Sequence, residues 1–332
     1  MVKKPGVKTP RKGEEKEWDS DALDGDSEPV IESSDEEAFK RKRKRVEQSP
    51  KKARGAKRKK VQAESDGEPD LDQGQEVVGV VVKAPTTGQV PPGQISKNTL
   101  NFLAKLKDPK CNDRQWFKLH EPVFRQAEKE WKDFIDQFTD ILVEADPQIP
   151  HLPAKDVVHR IYRDVRFGND KTPYKGNFSA SFSRSGRKGI FAGYHLSVNP
   201  GNESIIAAGL WCPGKNELAT IRSNILNDSQ PLRDVISSPE FESYFGKAEN
   251  PPKGERQNIF GREDELKVAP KGIDKDHHDI DLLKCRSFAV IHRFSDKEVL
   301  EAGFNERVQE VVSVMRPFVH CLNELLTVGH EE

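Results

Sequence analysis

The sequence predicts an α+β fold: one domain with a largely antiparallel sheet flanked by N- and C-terminal helices, preceded by a disordered tail. Three observations carry this. Apolar residues recur at helical spacing between 100 and 142, switch to period two between 157 and 212, and return to helical spacing beyond 217. The first 75 residues hold two aromatics, Trp18 and Phe39, and few aliphatics, too little apolar surface to offset chain ordering. With 33% charged and 34% hydrophobic residues, the whole chain is too polar for one continuous globule of 332 residues.

Charge divides the tail from the body only by clustering. Residues 1–95 carry 20 Lys/Arg against 19 Asp/Glu, and residues 96–332 carry 34 against 36. Two basic blocks stand out in the tail. One is Lys40, Arg41, Lys42, Arg43, Lys44 and Arg45; the other runs from Lys51 and Lys52 through Arg54 to Lys57, Arg58, Lys59 and Lys60. Paired basic clusters in an extended chain suit the acidic grooves of a nuclear import receptor, so the nucleus is the expected location, with the cytoplasm as the alternative. Ser49-Pro50 between the blocks, and Ser33, Ser34 and Ser65 before acidic residues, are phosphorylation candidates. Residues 76–95 read as a linker with a short β-prone run at Val77–Val82.

From Ser96 the pattern becomes that of a folded domain. Ser96 caps a helix through Leu100, Leu103 and Leu106 that ends at Pro109. Asn112-Asp113 caps a second start, with Trp116 and Phe117 facing inward. A long amphipathic helix then follows Phe124, Ala127, Trp131, Phe134, Ile135, Phe138 and Leu142. Strands are predicted at Val157 to Phe167, Asn177 to Arg184, Ile190 to Val198, Ser204 to Cys212 and Ser287 to Arg293, with helices at Glu217 to Asn227 and Leu232 to Phe245. A last helix from Asn305 to Leu326 should kink or break at Pro317.

Several function classes lack their signatures. No stretch approaches the roughly 18 apolar residues of a membrane span, so no membrane contact is expected. There is no G-x-S-x-G elbow, no phosphate loop and no G-x-G-x-x-G. Cys111, Cys212, Cys285 and Cys321 lie far apart and read as reduced structural thiols. Asp274 to Asp281 contains His277 and His278 but matches no metal spacing, so no metal and no cofactor is indicated.

The densest polar constellation is the run from His159 to Lys175. Residues 151–190 hold nine Lys/Arg and three acids, interleaved with Tyr162, Phe167, Tyr174 and Phe178, a composition that suits phosphate contact. Read as a strand, the run would set Arg163 on one face with Ile161, Val165 and Phe167. A guanidinium in that setting needs a carboxylate or a bound anion, and Asp164 and Asp170 are the nearest candidates in sequence. The favoured reading is a binding module for a phosphorylated ligand or nucleic acid using Arg160, Arg163, Arg166, Lys171, Tyr174 and Lys175. The alternatives are an enzyme of phosphoryl or acyl transfer, with Asp164 or Asp170 as base and Arg163 and Lys171 as charge stabilisers, and a structural scaffold.

The string Arg160-Ile161-x-Arg163-Asp164-x-Arg166-Phe167-x-x-Asp170-Lys171-Thr172-Pro173-Tyr174-Lys175 resembles the signature of a conserved hypothetical family, domain of unknown function 2461. Asn112-Asp113-Arg114-x-Trp116-Phe117-x-x-His120 resembles its N-terminal block. Ala192-Gly193-Tyr194-His195, Gly209-x-Trp211-x-Pro213, Ile221-Arg222 and Pro270-Lys271-Gly272 resemble later elements, so the likeness spans about residues 97–325. Asp113 stands where the family more often shows Asn, and Gly168 where Ser is common. The resemblance implies a shared fold and a shared site, and it brings no established activity.

Overall fold

The computed structural model describes residues 79–166, 170–252 and 254–327. The basic blocks and candidate phosphorylation sites lie outside them. Among the described residues, no helix is long and apolar enough to cross a membrane.

Helices lead. α1 (Lys97–Lys107) starts at Ser96, whose hydroxyl accepts the Thr99 N–H, and α2 (Arg114–Leu119) starts at Asp113, whose carboxylate accepts from Gln115 and Trp116. α3 (Glu121–Ala145) buries Phe124, Ala127, Trp131, Phe134, Ile135, Phe138 and Leu142, the stripe its spacing predicts. One turn, α4 (Ala154–Val157), leads to a meander of four antiparallel strands: β1 (Phe178–Ser183), β2 (Gly193–Val198), β3 (Ser204–Leu210) and, after an excursion, β4 (Phe288–Phe294). The excursion holds α5 (Lys215–Asn227), α6 (Gln230–Ile236), α7 (Pro239–Phe245) and α8 (Ile280–Lys284); α9 (Asp296–Val299) and α10 (Phe304–Leu325) close the fold. Residues 79–95 lie along the domain: Val82 donates to the Leu119 carbonyl, and Ile95 is buried in the core.

Strand alternation sorts the sheet into two faces. Phe178, Ala180, Phe182, Tyr194, Leu196, Val198, Ile206, Ala208, Leu210, Phe288 and Val290 are buried on the face toward α3 and α10. Trp131 stacks on Phe178, Phe138 meets Phe182 edge-on, and Phe304 of α10 meets Phe294 edge-on. Each such aromatic contributes about 1.5–3 kcal/mol of burial, which is why the helices take this face. The opposite face carries small and polar residues in register: Ser181, His195, Ala207 and Ile291 form one cross-strand row, all half-buried.

Three expectations need correction. The described residues 157–166 are not a strand. After α4 they make isolated bridges only, Val158 to Ala180 and Tyr162 to Tyr174, because Pro173 has no N–H to continue a ladder. Residues 232–245 form two helices rather than one. Pro239 disfavours helical backbone at Ser238, which instead caps α7. The expected break at Pro317 does not occur: α10 runs on through that exposed proline.

Candidate functional site

The described residues of the run, 159–166 and 170–175, fold as the two arms of an irregular hairpin on the edge of β1. His159 donates its N–H to the Ser179 carbonyl, Arg163 to Pro173 and Lys175 to Ile161. Its second arm is fixed from the N-terminal motif. The buried Asn112 amide donates to the carbonyls of Leu106 (2.7 Å) and Tyr174 (2.9 Å) and accepts the Tyr174 N–H (3.1 Å). Phe117 stacks flat on the Tyr174 ring, 3.9 Å between centroids. The two motifs, about sixty residues apart, are thus one physical unit.

The cations of the hairpin face outward. Arg160, Arg163, Arg166 and Lys171 are exposed, and Tyr162 is half-exposed. Arg163 is therefore not enclosed by apolar neighbours, and no external anion is needed to neutralise it. It pairs with Asp170 and donates to Thr172 Oγ1 (3.0 Å), whose hydroxyl in turn donates to Asp170 (2.7 Å). Arg166 grips Asp164 through Nη2 (2.7 Å) and Nε (3.0 Å), and Lys171 donates to the Val165 carbonyl (3.0 Å). The guanidinium and N–H of Arg166 pull Asp164 down to about 2; the N–H and hydroxyl of Thr172, then Arg163, do the same for Asp170. Carboxylates held that low are weak proton acceptors at neutral pH, which weakens their candidacy as general bases. Tyr174 is buried under Phe117, and burial pushes its phenol up.

At the hairpin's base the half-buried row of the open sheet face begins. Ser181 Oγ lies 2.8 Å from His159 Nε2 and 2.8 Å from His195 Nδ1, a serine hydroxyl bridged by two imidazoles. Burial, and then the charge of Lys175, lower His195 to about 4, so it is neutral at neutral pH. Composition and motif spacing leave Ser181 unmarked. The signal was the alternation Phe178-Ser179-Ala180-Ser181-Phe182-Ser183, which turns three hydroxyls to one face. Gly193 and Gly209, paired across β2 and β3, keep the middle of the next row of that face, between Ser183 and Ala289, free of side chains. A Cβ on either would sit 2.1 Å from a backbone oxygen, and Gly209 also has φ +118°.

The other singled-out groups serve elsewhere. His277, His278 and Asp279 place ligand-capable atoms within 4.8 Å of one another, but Asp279 is taken by Arg233 (2.7 Å) and His277 Nδ1 by the Asp279 N–H (3.1 Å). His120 stacks on Trp116 and bonds its carbonyl.

The sequence profile of one family, described as a conserved hypothetical protein (DUF2461), matches residues 98–321, a span that contains the hairpin, its anchor and the whole sheet. The chain has no match among curated proteins and none among solved structures.

Proposed function

From the premise that this chain belongs to the conserved hypothetical protein family DUF2461, whose description carries no activity, we propose that it is a nuclear protein whose folded domain binds phosphate groups, those of nucleic acid first, through the hairpin of residues 159–175. One observation carries the reading. The hairpin's two acids, Asp164 and Asp170, are both spent on Arg166 and Arg163, so its four exposed cations leave an outward excess of two positive charges, Arg160 and Lys171, beside the half-exposed ring of Tyr162. An exposed cationic hairpin with an aromatic face suits a phosphate backbone with stackable bases. Arg160 and Lys171 contact phosphate, Arg163 and Arg166 hold the loop's shape while adding to its field, and the basic blocks of residues 40–60 carry the chain into the nucleus. The test is fluorescence anisotropy with mixed-sequence single-stranded RNA and DNA at low salt. Wild type is expected to bind, and the doubly substituted Arg160→Gln, Lys171→Gln chain to bind on the order of tenfold or more weakly. Equal affinity of the two proteins rejects the hairpin as the contact.

A second reading is favoured by the Ser181 geometry. Ser181 Oγ would attack an ester at carbon or phosphorus, passing its proton to one imidazole while the other still donates to Oγ; the alcohol leaves with a proton, and water regenerates the serine. A fluorophosphonate probe should then label wild type and not Ser181→Ala. Failure of the wild-type chain to react at Ser181 removes this reading and leaves the binding role standing.

A further inference from the structure

At the far edge of the sheet, three strands from the hairpin, Arg262 is the one arginine among the described residues that is more than nine-tenths buried (8% exposed). Its Nη2 donates to the Ala289 carbonyl of β4. Its Nε and Nη1 are buried with no hydrogen-bond partner, and among the described residues no carboxylate forms an ion pair with it. The nearby carboxylate, Asp264, instead accepts the Ser287 hydroxyl (2.6 Å). Burial first, and then the neighbouring Arg256, lower the guanidinium to about 10, so it still carries its charge at neutral pH. A desolvated cation with unmade bonds costs several kcal/mol relative to a paired one, and arginine cannot shed its proton to escape that cost.

What lies over it is an exposed side chain rather than packed core. The Trp211 ring centroid is 5.0 Å from the guanidinium carbon, yet the residue is 67% exposed. Next to it, Cys212 adopts φ +45°, an uncommon conformation for a side-chain-bearing residue, and is exposed. Its N–H donates to Ser287 Oγ (2.9 Å), and its Sγ stands 3.6 Å from that hydroxyl and 4.0 Å from Asp264. Arg256 and Arg293, both exposed, add positive charge to this edge, and Glu263 and Asp264 are the acids that oppose it.

We propose that Arg262 is the base of an oxyanion-binding site, separate from the hairpin, that takes a carboxylate or phosphate group beneath the Trp211 indole and beside the Cys212 thiol. The indole supplies the face that covers the anion's organic part, and the two unpaired guanidinium nitrogens supply the bonds.

Cys212 reports on the site, because burial pushes Cys285 and Cys321 up and leaves them unreactive. In the full chain, alkylation of Cys212 by neutral iodoacetamide is followed by peptide mass spectrometry with added inorganic phosphate, acetate or chloride. Saturable protection by phosphate, by acetate or by both, absent with chloride at equal ionic strength, is expected, and which anion protects tells phosphate from carboxylate. Anionic iodoacetate should also favour Cys212 over Cys111 more than iodoacetamide does, on the order of tenfold, a preference lost in Arg262→Gln. Failure of both oxyanions to protect the wild-type thiol, or equal protection by chloride, overturns the proposal without any variant having to fold.

Discussion

Asp146 is fully buried, and its two oxygens are met by the Tyr194 hydroxyl (2.8 Å) and His320 Nε2 (2.9 Å). Burial and the adjacent carboxylate push the Tyr194 phenol well above its ordinary range, so it stays a donor at any physiological pH. Tyr194→Phe deletes that donor and leaves a buried oxygen unmet, and chemical denaturation should register a loss of about 1–3 kcal/mol. Gly209→Ala drives a Cβ into the Phe288 carbonyl at 2.1 Å and should destabilise more than Tyr194→Phe in the same assay. His195 gives a pH signature. Its folded value, about 4, lies below the 6.5 of the unfolded chain, so between those values the unfolded state holds more protons. Stability therefore falls as pH drops from 6.5 to 4, and His195→Gln should flatten that fall. In NMR the His195 ring should titrate near 4; a midpoint near 6.5 would contradict its placement in the row.

Among elements, the hairpin depends on a residue outside it. Asn112→Ala strips partners from three buried backbone groups of residues 106 and 174, and a loss of about 3 kcal/mol with faster amide exchange at Tyr174 is expected. Retained protection at Tyr174 would show that the hairpin stands without its anchor. This scale also marks where sequence was readable. β1 to β4, α1, α3 and α5 announce themselves because each buries one face, and period records burial. Residues 157–167 mimic that alternation, yet Ile161 is buried while Arg163 is exposed; their partners are a proline-interrupted arm and Asn112, contacts that no local pattern encodes. Asp113, Ser96 and Ser238 follow ordinary capping chemistry, and the split at Pro239 was legible in the Ser-Pro pair itself. Ser181 and Arg262 matter through long-range neighbours, so composition alone marks the basic run and misses both.

The whole chain joins a folded domain to a tail whose basic blocks, residues 40–45 and 51–60, are proposed to be read by an import receptor. A fluorescent fusion carrying residues 1–95 should concentrate in nuclei, and replacing Lys57, Arg58, Lys59 and Lys60 together with alanine should spread it; unchanged accumulation would assign import to another segment. The domain itself is close to neutral, 34 cations against 36 acids in residues 96–332, so the affinity for a nucleic-acid backbone proposed here rests on the local excess on the hairpin rather than on a global field. That makes salt dependence the most direct measurement. Plotted as log affinity for a single-stranded oligonucleotide against log salt, wild type should fall with a slope of about −1 to −2, and Arg160→Gln with Lys171→Gln should reduce that magnitude by about 1. A slope that the double substitution leaves unchanged, or no binding at low salt, contradicts the assignment of phosphate contact to the hairpin.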